Sequence, residues 1–132
     1  MKRFGLSSKE RIKSKNEFEL LYSSGEIAFS SSKKFKAVFF IQRNSDKNEI
    51  KAAFAVSRKS GNAVWRNRVK RLFRESFRLN KGALYESVEF KNASLLIAFS
   101  PNSVNQTNRK KIFLKEVLPE IVELINQIKA KI

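Results

Sequence analysis

The feature that most constrains this chain is a stretch of twenty residues, Lys59 to Arg78, in which apolar and basic residues recur with a helical period. The apolar residues are spaced three or four positions apart and therefore fall on one side of an α-helix. They are Trp65, Val69, Leu72, Phe73 and Phe77. Asn62 precedes them and is a typical N-cap, because its side-chain oxygen can accept unpaired backbone N–H groups. The stretch predicts a helix that packs one face against a core.

The opposite side of this predicted helix is basic. Four cations follow at steps of four residues and two more lie beside them: Arg66, Lys70, Arg74, Arg78, Arg68 and Arg71. Only one acid, Glu75, lies among them, whereas solvated helix faces usually interleave acids with bases. Crowded cations favour an external polyanion, and arginine can bind phosphate through two N–H groups or stack on a base. A solvated basic face is the alternative explanation.

Length and charge indicate a polyanion-binding protein of one domain, residues 1–132. The formal net charge is +16 and the isoelectric point is near 10.4, well beyond what solubility requires. Twelve phenylalanines and an apolar content of 42% indicate a folded core, with residues 1–12 predicted to form a basic arm. The chain has no cysteine, no hydrophobic signal core and no apolar run of about 20 residues. These features predict a cytoplasmic protein that does not enter a membrane.

The composition also limits the chemistry that the chain can perform. It contains no His and no Cys, so imidazole acids and bases, thiol nucleophiles and their metal sites are excluded. Asp46 is the single Asp, and the glutamates are not paired for two-metal phosphoryl chemistry. Glu116, Glu120 and Glu123 fall at helical spacing and are predicted to form a solvated helix face. We therefore predict no catalytic side chain and no metal site.

Turn residues and apolar periodicity divide the rest of the chain into helices and strands. The predicted elements are a helix Ser14–Tyr22 stopped by Gly25, a short edge strand within Glu26–Ser32, strands Phe35–Gln42 and Ile50–Ser57, the basic helix ending at Gly82, a link Ala83–Asn92, a strand Ala93–Ser100 and a last helix capped by Asn108. Pro119 is predicted to kink or restart the last helix. The order α-β-β-β-α-β-α indicates an α+β fold, with a small, mainly antiparallel sheet of about four strands and three helices.

Two of the predicted strands also offer a second surface. Their core-facing residues are Phe35, Ala37, Phe39 and Ile41 in the first, and Ile50, Ala52, Phe54 and Val56 in the second. The other face of the second strand is small: Lys51, Ala53, Ala55 and Ser57. The other face of the first strand carries Lys36, Val38, Phe40 and Gln42. Side by side, with Phe18 and Tyr22 above them, these two faces would form a groove whose aromatics stack on bases and whose lysines hold phosphates. The alternative is that the last helix covers the small face and that both aromatics belong to the core.

The central stretch resembles the signature of the bacterial ribonuclease P protein subunit family. The matching residues are Gly61, Asn62, Ala63, Val64, Arg66, Asn67, Arg68, Lys70 and Arg71, after a basic lead-in of Ser57, Arg58 and Lys59. Upstream, Glu17–Gly25 is similar to the family's first helix. Downstream, Leu95–Pro101 is similar to the strand that follows its long helix. The resemblance covers nearly the whole chain in the same order.

The resemblance implies a function, partners and one detail of the fold. Members of the family are small basic proteins that bind a large catalytic RNA, and the complex uses Mg²⁺ to cleave the 5′ leader from precursor tRNA. The RNA carries the catalysis. The implied partners are therefore the catalytic RNA and precursor tRNA, with Mg²⁺ bound mainly by the RNA subunit and the substrate, no organic cofactor and no obligate protein partner. A left-handed βαβ crossover is also implied, against the usual hand.

The family's functional residues are carried over by position. The catalytic-RNA-binding residues would be Asn62, Arg66, Asn67, Arg68, Lys70, Arg71 and Arg74. The leader-binding cleft would comprise Phe18, Tyr22, Lys36, Val38, Phe40, Lys51, Ser57, Arg58 and Lys59. Three features depart from the family pattern. Ser100 stands where a basic residue is frequent, Val38 stands where the cleft strand commonly has an aromatic, with Phe40 two residues on, and the loop Phe29–Lys34 is longer than usual. The alternative function is that of a structural RNA-binding protein, such as a ribosomal component, which copurifying ribosomal RNA would reveal.

Overall fold

The structure, a computed structural model, describes residues 8–132 as three helices, four strands and two short 3-10 turns. The elements are α1 (Lys15–Ser24), β1 (Glu26–Phe29), β2 (Phe35–Gln42), β3 (Ile50–Phe54), α2 (Ala63–Phe90), β4 (Ser94–Pro101) and α3 (Leu114–Lys131), with 3-10 turns at Ser8–Glu10 and Arg58–Ser60. The predicted order α-β-β-β-α-β-α is confirmed.

The four strands form one mixed sheet in the order β1-β2-β4-β3. The β1–β2 and β2–β4 pairs are antiparallel, and β3 pairs with β4 in parallel. The predicted mainly antiparallel sheet is therefore confirmed, and β3, α2 and β4 make a βαβ unit. The left hand of its crossover stays a prediction. β4 lies between two strands, as its continuous apolar sequence predicts.

One face of the sheet carries the main core. The predicted inward residues of β2 and β3 lie there, under α2 and α3. The apolar stripe of α2 packs onto this face, with Trp65, Val69, Phe73 and Phe77 buried and Leu72 partly buried. Phe99 of β4 contacts the rings of Phe54, Phe73 and Phe77, with ring centroids 5.8–6.4 Å apart. The amphipathic helix thus packs as its spacing predicts.

The other face of the sheet is covered by α1 and by the segment that precedes it. Ile12, Leu21, Val38 and Ala98 form a second buried cluster, against which Phe18 packs. The alternative that the last helix covers this face is wrong, because α3 packs on α2 and the opposite face.

Part of the predicted basic arm is also built into the fold. The backbone N–H of Ile12 donates to the carbonyl of Ala52 at 3.1 Å, so that residues 11–12 run beside β3. Glu10 accepts hydrogen bonds from Lys81 Nζ at 2.7 Å and from the Tyr85 hydroxyl at 2.8 Å. Residues 8–12 therefore dock on β3 and α2, and residues 1–7 of the predicted arm lie outside the described residues.

The predicted end of the basic helix at Gly82 is wrong. α2 continues to Phe90, and its last turns bury Leu84 and Val88 completely. Their burial outweighs the roughly 1 kcal/mol that a glycine costs inside a helix. Asn92, with a left-handed φ of 51°, ends α2 while the N–H of Ala93 bonds to the carbonyl of Val88 at 2.9 Å. Asn thus takes the position that glycine usually holds after a helix.

The predicted start of the last helix at Asn108 is also wrong. Residues 102–113 form a loop, here called the β4–α3 loop, and α3 begins only at Leu114. Within the loop the side chains of Asn105 and Asn108 each accept the other's backbone N–H, at 3.0 and 2.9 Å, and this local pairing replaces the predicted cap. A helix restarted at Pro119 is wrong too, because α3 runs through that residue.

The long loop before β2 is fastened to α3. Glu123 accepts hydrogen bonds from the N–H and the hydroxyl of Ser31, at 2.7 and 3.0 Å, and Glu120 accepts one from Ser32 at 2.6 Å. Glu116 pairs with Arg109. The prediction that these three glutamates form a merely solvated face is therefore wrong, since each one holds another part of the chain.

β3 is shorter than predicted. It ends at Phe54 rather than at Ser57, although the N–H of Ala55 still bonds to the carbonyl of Phe99 at 2.9 Å. Residues 55–57 then leave the sheet toward the 3-10 turn that leads into α2. This exit places the end of β3 beside the start of the basic helix.

Candidate nucleic-acid interface

The first turn of α2 is fixed by its predicted cap. The side-chain oxygen of Asn62 accepts the N–H of Trp65 at 2.9 Å, as a helix N-cap does. Gly61 lies just before it with an extended φ of 172° and no room for a side chain, because a Cβ there would be 2.8 Å from a ring carbon of Trp65. Arg66 then turns back and donates from Nε to the carbonyl of Gly61 at 3.1 Å. The carbonyl of the residue just before the cap therefore orients the first arginine of the basic side.

The predicted catalytic-RNA contacts lie together at the N-terminal half of α2. We call this set the basic face: Asn62, Arg66, Asn67, Arg68, Lys70, Arg71 and Arg74. At about 100° per residue, Arg68 lies at one edge of the face and Lys70 lies near the other, roughly 160° away, with Asn67 and Arg71 between them. Asn67 and Arg71 are exposed, and the arginines and lysine at the edges are half-buried.

The cations of this region crowd one another. Burial, and then the nearby charges of Arg11 and Arg71, lower the pKa of Arg74. Arg78 differs, because it donates from Nη2 to Glu75 at 2.5 Å, and this hydrogen bond raises the pKa of Arg78. One cation is thus neutralised within α2, whereas those nearer the N-terminus repel each other and favour an external anion.

A concavity of about 590 Å³ lies next to the basic face, between α1 and the outer sheet surface. Four of the predicted cleft residues line it: Tyr22, Lys36, Val38 and Ser57. Lys70 of the basic face lines it as well. We call it the main concavity. One lysine therefore joins the two surfaces that the sequence predicted separately.

Phe18 and Tyr22 differ in their surroundings. Their rings are nearly parallel, 10° apart, with centroids separated by 6.5 Å. Tyr22 is 54% exposed at the edge of the main concavity, and its partial burial raises the pKa of its hydroxyl. Phe18 is half-buried and packs on the second apolar cluster. Tyr22 thus offers a ring to a ligand, and Phe18 serves partly as core.

Phe40 and Lys51 are not brought to the main concavity. They line a second concavity of about 380 Å³ between α1 and the β2–β3 turn. Lys51 donates from Nζ to Glu17 at 2.8 Å, and both side chains are 27% exposed. That hydrogen bond lowers the pKa of Glu17 and raises the pKa of Lys51, with burial opposing both shifts. Lys51 is therefore already paired with a carboxylate.

Arg58 and Lys59 occupy the 3-10 turn between β3 and α2. Both are exposed, and within residues 8–132 neither lines the main concavity, although their neighbours Ser57 and Ser60 do. Arg58 and Lys59 thus lie outside the concavity, on the turn that precedes the basic face.

Several residues of the site were absent from the sequence prediction. Ile27 lines the main concavity because it pairs in register with Val38, and the alternation within β1 was the signal that could have found it. Ser100, at the position where the family often has a basic residue, lines it too. Gln106, which holds the start of α2, lies in a loop with no periodic signal.

Two kinds of feature are absent from residues 8–132, the part of the chain that the structure describes. This part of the chain has no group of three His, Cys, Asp or Glu residues that could hold a metal ion. Its helices include none long and apolar enough to cross a membrane.

Comparison with known proteins identifies the family. The ribonuclease P family model matches residues 6–119. The ribonuclease P protein component of Alkaliphilus metalliredigens is 32% identical over 124 residues, which cover 94% of this chain and 97% of that protein. The ribonuclease P protein component of Macrococcus caseolyticus is 32% identical over 108 residues, covering 82% and 86%.

Solved structures agree with the sequence comparison. The ribonuclease P protein of Staphylococcus aureus has the same fold, with a TM-score of 0.67 over 91% of this chain and 95% of that chain at 22% identity. For the ribonuclease P protein from Thermotoga maritima, the TM-score is 0.66 over 92% and 96% at 25% identity. The resemblance seen in the central stretch is confirmed, and the chain belongs to the ribonuclease P protein component family.

Proposed function

We propose that this chain is the protein subunit of a ribonuclease P holoenzyme. It binds the catalytic RNA through the basic face and the 5′ leader of precursor tRNA in the main concavity. In this way it assists the Mg²⁺-dependent endonucleolytic removal of the leader, which gives the mature 5′ end. The observation that carries the proposal is Lys70, which belongs to the basic face and also lines the main concavity with Tyr22 and Val38.

The charge of the basic face supports its role toward the catalytic RNA. RNA supplies phosphates at a density that few other partners match, and each neutralised phosphate releases counterions. Burial, and then the charges of Arg11 and Arg71, lower the pKa of Arg74, and the repulsion among these cations is relieved when phosphates approach. Protein cations between the catalytic RNA and the leader would also reduce the repulsion between the two RNA chains.

The lining of the main concavity supports its role as the binding site of the leader, which is an unpaired strand in this proposal. Tyr22 presents its ring for stacking, Lys36 and Lys70 offer charges to phosphates, and Val38 forms an apolar floor. Arg58 and Lys59 extend the positive potential from the turn outside. Phe40 and Lys51 lie in the second concavity, where Glu17 competes with a phosphate for Lys51.

The catalytic step is assigned to the RNA subunit. The chain has no His and no Cys, and its side chains bind and orient RNA in this proposal. The Mg²⁺ ions would be held mainly by the RNA and the substrate, with no organic cofactor and no obligate protein partner. A cytoplasmic location stays a prediction. The ribosomal alternative has no support among the relatives reported above, all of which are ribonuclease P proteins.

Cleavage of a precursor tRNA at low Mg²⁺ by the cognate catalytic RNA, with and without this chain, tests the proposal. We expect strong stimulation of the RNA and no cleavage by the protein alone. Tight RNA binding without stimulation would instead indicate a structural RNA-binding protein. Cleavage by the protein alone would contradict the assignment of catalysis to the RNA.

The basic face is tested by replacing Arg66, Arg68 and Lys70 with Ala together. Binding to the catalytic RNA should weaken, and the slope of its salt dependence should fall by about one for each lost phosphate contact. The matched control removes three lysines that lie away from the face: Lys47, Lys91 and Lys129. Equal effects of the two triple variants would mean that only total charge matters.

A further inference from the structure

The β4–α3 loop is held tightly against the start of α2. The N–H of Gln106 donates to the carbonyl of Ser60 at 2.7 Å, and its side-chain oxygen accepts the N–H of Asn62 at 2.8 Å. Farther along, the indole N–H of Trp65 donates to the carbonyl of Arg109 at 2.9 Å. The loop and the first turns of α2 therefore form one fixed surface.

Arg68 links this loop directly to the basic face. Its Nε donates to the carbonyl of Ile112 at 2.7 Å, and Ile112 itself is buried in the main core. Arg68 stands at the edge of the basic face opposite Lys70, so the face has the main concavity on one side and the β4–α3 loop on the other. An RNA that lies across the face passes over both edges.

The loop side of this surface is rich in uncompensated cations. Residues 102–115 contain four cations and no acid: Arg109, Lys110, Lys111 and Lys115. Arg109 pairs with Glu116, the next acid along the chain. Lys110, Lys111 and Lys115 are exposed and make no ion pair with any described residue. Three lysines thus continue the positive charge beyond Arg68.

An exposed aromatic ring lies among these cations. Phe113 is 43% exposed, with Arg68 Cζ at 5.6 Å and Lys115 Nζ at 6.0 Å from its ring centroid. Phe113 is the N-cap residue of α3, and its ring takes no part in the cap. An exposed ring flanked by phosphate-binding cations is the arrangement on which proteins stack unpaired bases.

We infer that Lys110, Lys111, Phe113 and Lys115 form an additional contact for the catalytic RNA, here called the loop surface. An unpaired nucleotide of that RNA stacks on Phe113, and its flanking phosphates bind the three lysines. The inference rests on the proposed function, because the same RNA must lie on the basic face. The continuity of charge through Arg68 favours the catalytic RNA over an acidic protein as the occupant.

The chain offers matched control residues at the far end of α2. Phe90 is 83% exposed with Lys91 Nζ 5.8 Å from its ring centroid, and thus repeats the chemistry of Phe113 and Lys115. Phe90 follows Arg68 by 22 residues, about 33 Å along the helix. Phe90→Ala and the double variant Lys91→Ala with Lys129→Ala remove the same groups away from the proposed contact.

The experiment measures the Kd of the cognate catalytic RNA over a range of salt concentrations. Phe113→Ala should weaken binding by about 5-fold or more, the loss expected for one stacked base. The double variant Lys110→Ala with Lys111→Ala should reduce the salt slope by about two. The lysine variant should unfold at the wild-type temperature because its side chains are exposed, and Phe113→Ala should unfold close to it because the ring is 43% exposed. Phe113→Trp should retain binding, whereas Phe113→Leu should not.

The outcomes separate this inference from the proposed function. Wild-type Kd values for the Phe113 and lysine variants, with the basic-face triple variant weakened, would overturn the inference alone. If the triple variant also bound normally, the proposed function itself would fail. The inference would likewise be overturned if Phe113→Ala weakened precursor tRNA binding to the holoenzyme but left binding of the catalytic RNA unchanged.

Discussion

The indole N–H of Trp65 donates a hydrogen bond to the carbonyl oxygen of Arg109 at 2.9 Å. Trp65 belongs to the buried stripe of α2, and Arg109 lies in the exposed β4–α3 loop. A tryptophan can make this connection because it combines a large apolar ring with one polar atom. A core residue thereby fixes the loop beside the basic face.

Replacing Trp65 with Phe should lower the free energy of unfolding by about 1–3 kcal/mol, because the indole hydrogen bond and part of the packing are lost. Urea unfolding measures the change. Arg109→Ala is the control, since it keeps the carbonyl and removes only an exposed ion pair worth about 1 kcal/mol or less. A Phe variant as stable as the wild type would contradict the role given to this bond.

Gly61, which precedes α2, and Gly82, which lies within it, should respond to alanine in opposite ways. Gly82→Ala should stabilise the protein by about 0.5–1 kcal/mol, because no atom lies within 4 Å of the added Cβ and alanine favours a helix. Gly61→Ala should destabilise it, because the Cβ would lie 2.8 Å from Trp65 and 2.9 Å from Gln106. Thermal unfolding of both variants measures the difference, and a shift in the same direction for the two would refute this account.

The ion pair between Glu17 and Lys51 should make stability depend on pH. The pKa of Glu17 is lowered from 4.5, so the pair contributes fully above that value and is lost as the pH falls through the lowered pKa. The pKa of Lys51 is raised from 10.5, so at the alkaline end the contribution is lost only as the pH rises through the raised value.

Glu17→Gln should remove this dependence. Urea unfolding of the wild type and of the variant between about pH 7 and pH 3 measures it. The difference between their free energies of unfolding should be constant near neutrality and shrink in acid. A difference that is unchanged at about pH 3 would show that the pair does not contribute as its geometry indicates.

Tyr22 and Phe18 should separate binding from stability. Tyr22→Ala should weaken binding of precursor tRNA relative to mature tRNA by about 1–3 kcal/mol, the value of one stacked base, and leave the unfolding temperature nearly unchanged. Phe18→Ala should lower the unfolding temperature, because its ring packs on the second apolar cluster. If Tyr22→Ala weakened the binding of precursor and mature tRNA equally, the leader would not bind at this site.

Local patterns were sufficient to predict the order of the elements and the buried stripe of α2. They failed where distant residues decide the outcome. Gly82 resembles a helix end in sequence, but the helix continues because Leu84 and Val88 are buried in the core. Asn108 resembles an N-cap in sequence, but its side chain bonds to Asn105 instead. Helix ends depend on such tertiary contacts more than helix centres do.

The residues of the candidate site also fall into those that local spacing predicts and those that distant contacts determine. The shared side of the cations Arg66, Lys70 and Arg74 follows from their spacing within one helix and was predictable, whereas the pairing of Arg78 with Glu75 was not foreseen. The assignment of Lys51 was not, because its partner Glu17 lies 34 residues away on another element. The β4–α3 loop escaped notice because hydrogen bonds that Gln106 and Arg109 accept from Asn62 and Trp65, rather than any periodicity, fix it against α2.

The position of β4 in the sheet has a consequence for synthesis of the chain. Among the strands that the structure describes, β3 pairs only with β4, so Ala52 has no strand partner until Ile97 is synthesised, 45 residues later in the chain. On a ribosome, the cationic helix therefore emerges before the sheet beneath it can close. In the interval before β4 is synthesised, the polycationic helix has no completed sheet to pack against. Completion of β4 closes the sheet beneath the helix, and the β4–α3 loop and α3, which follow it in the chain, then complete the support of α2.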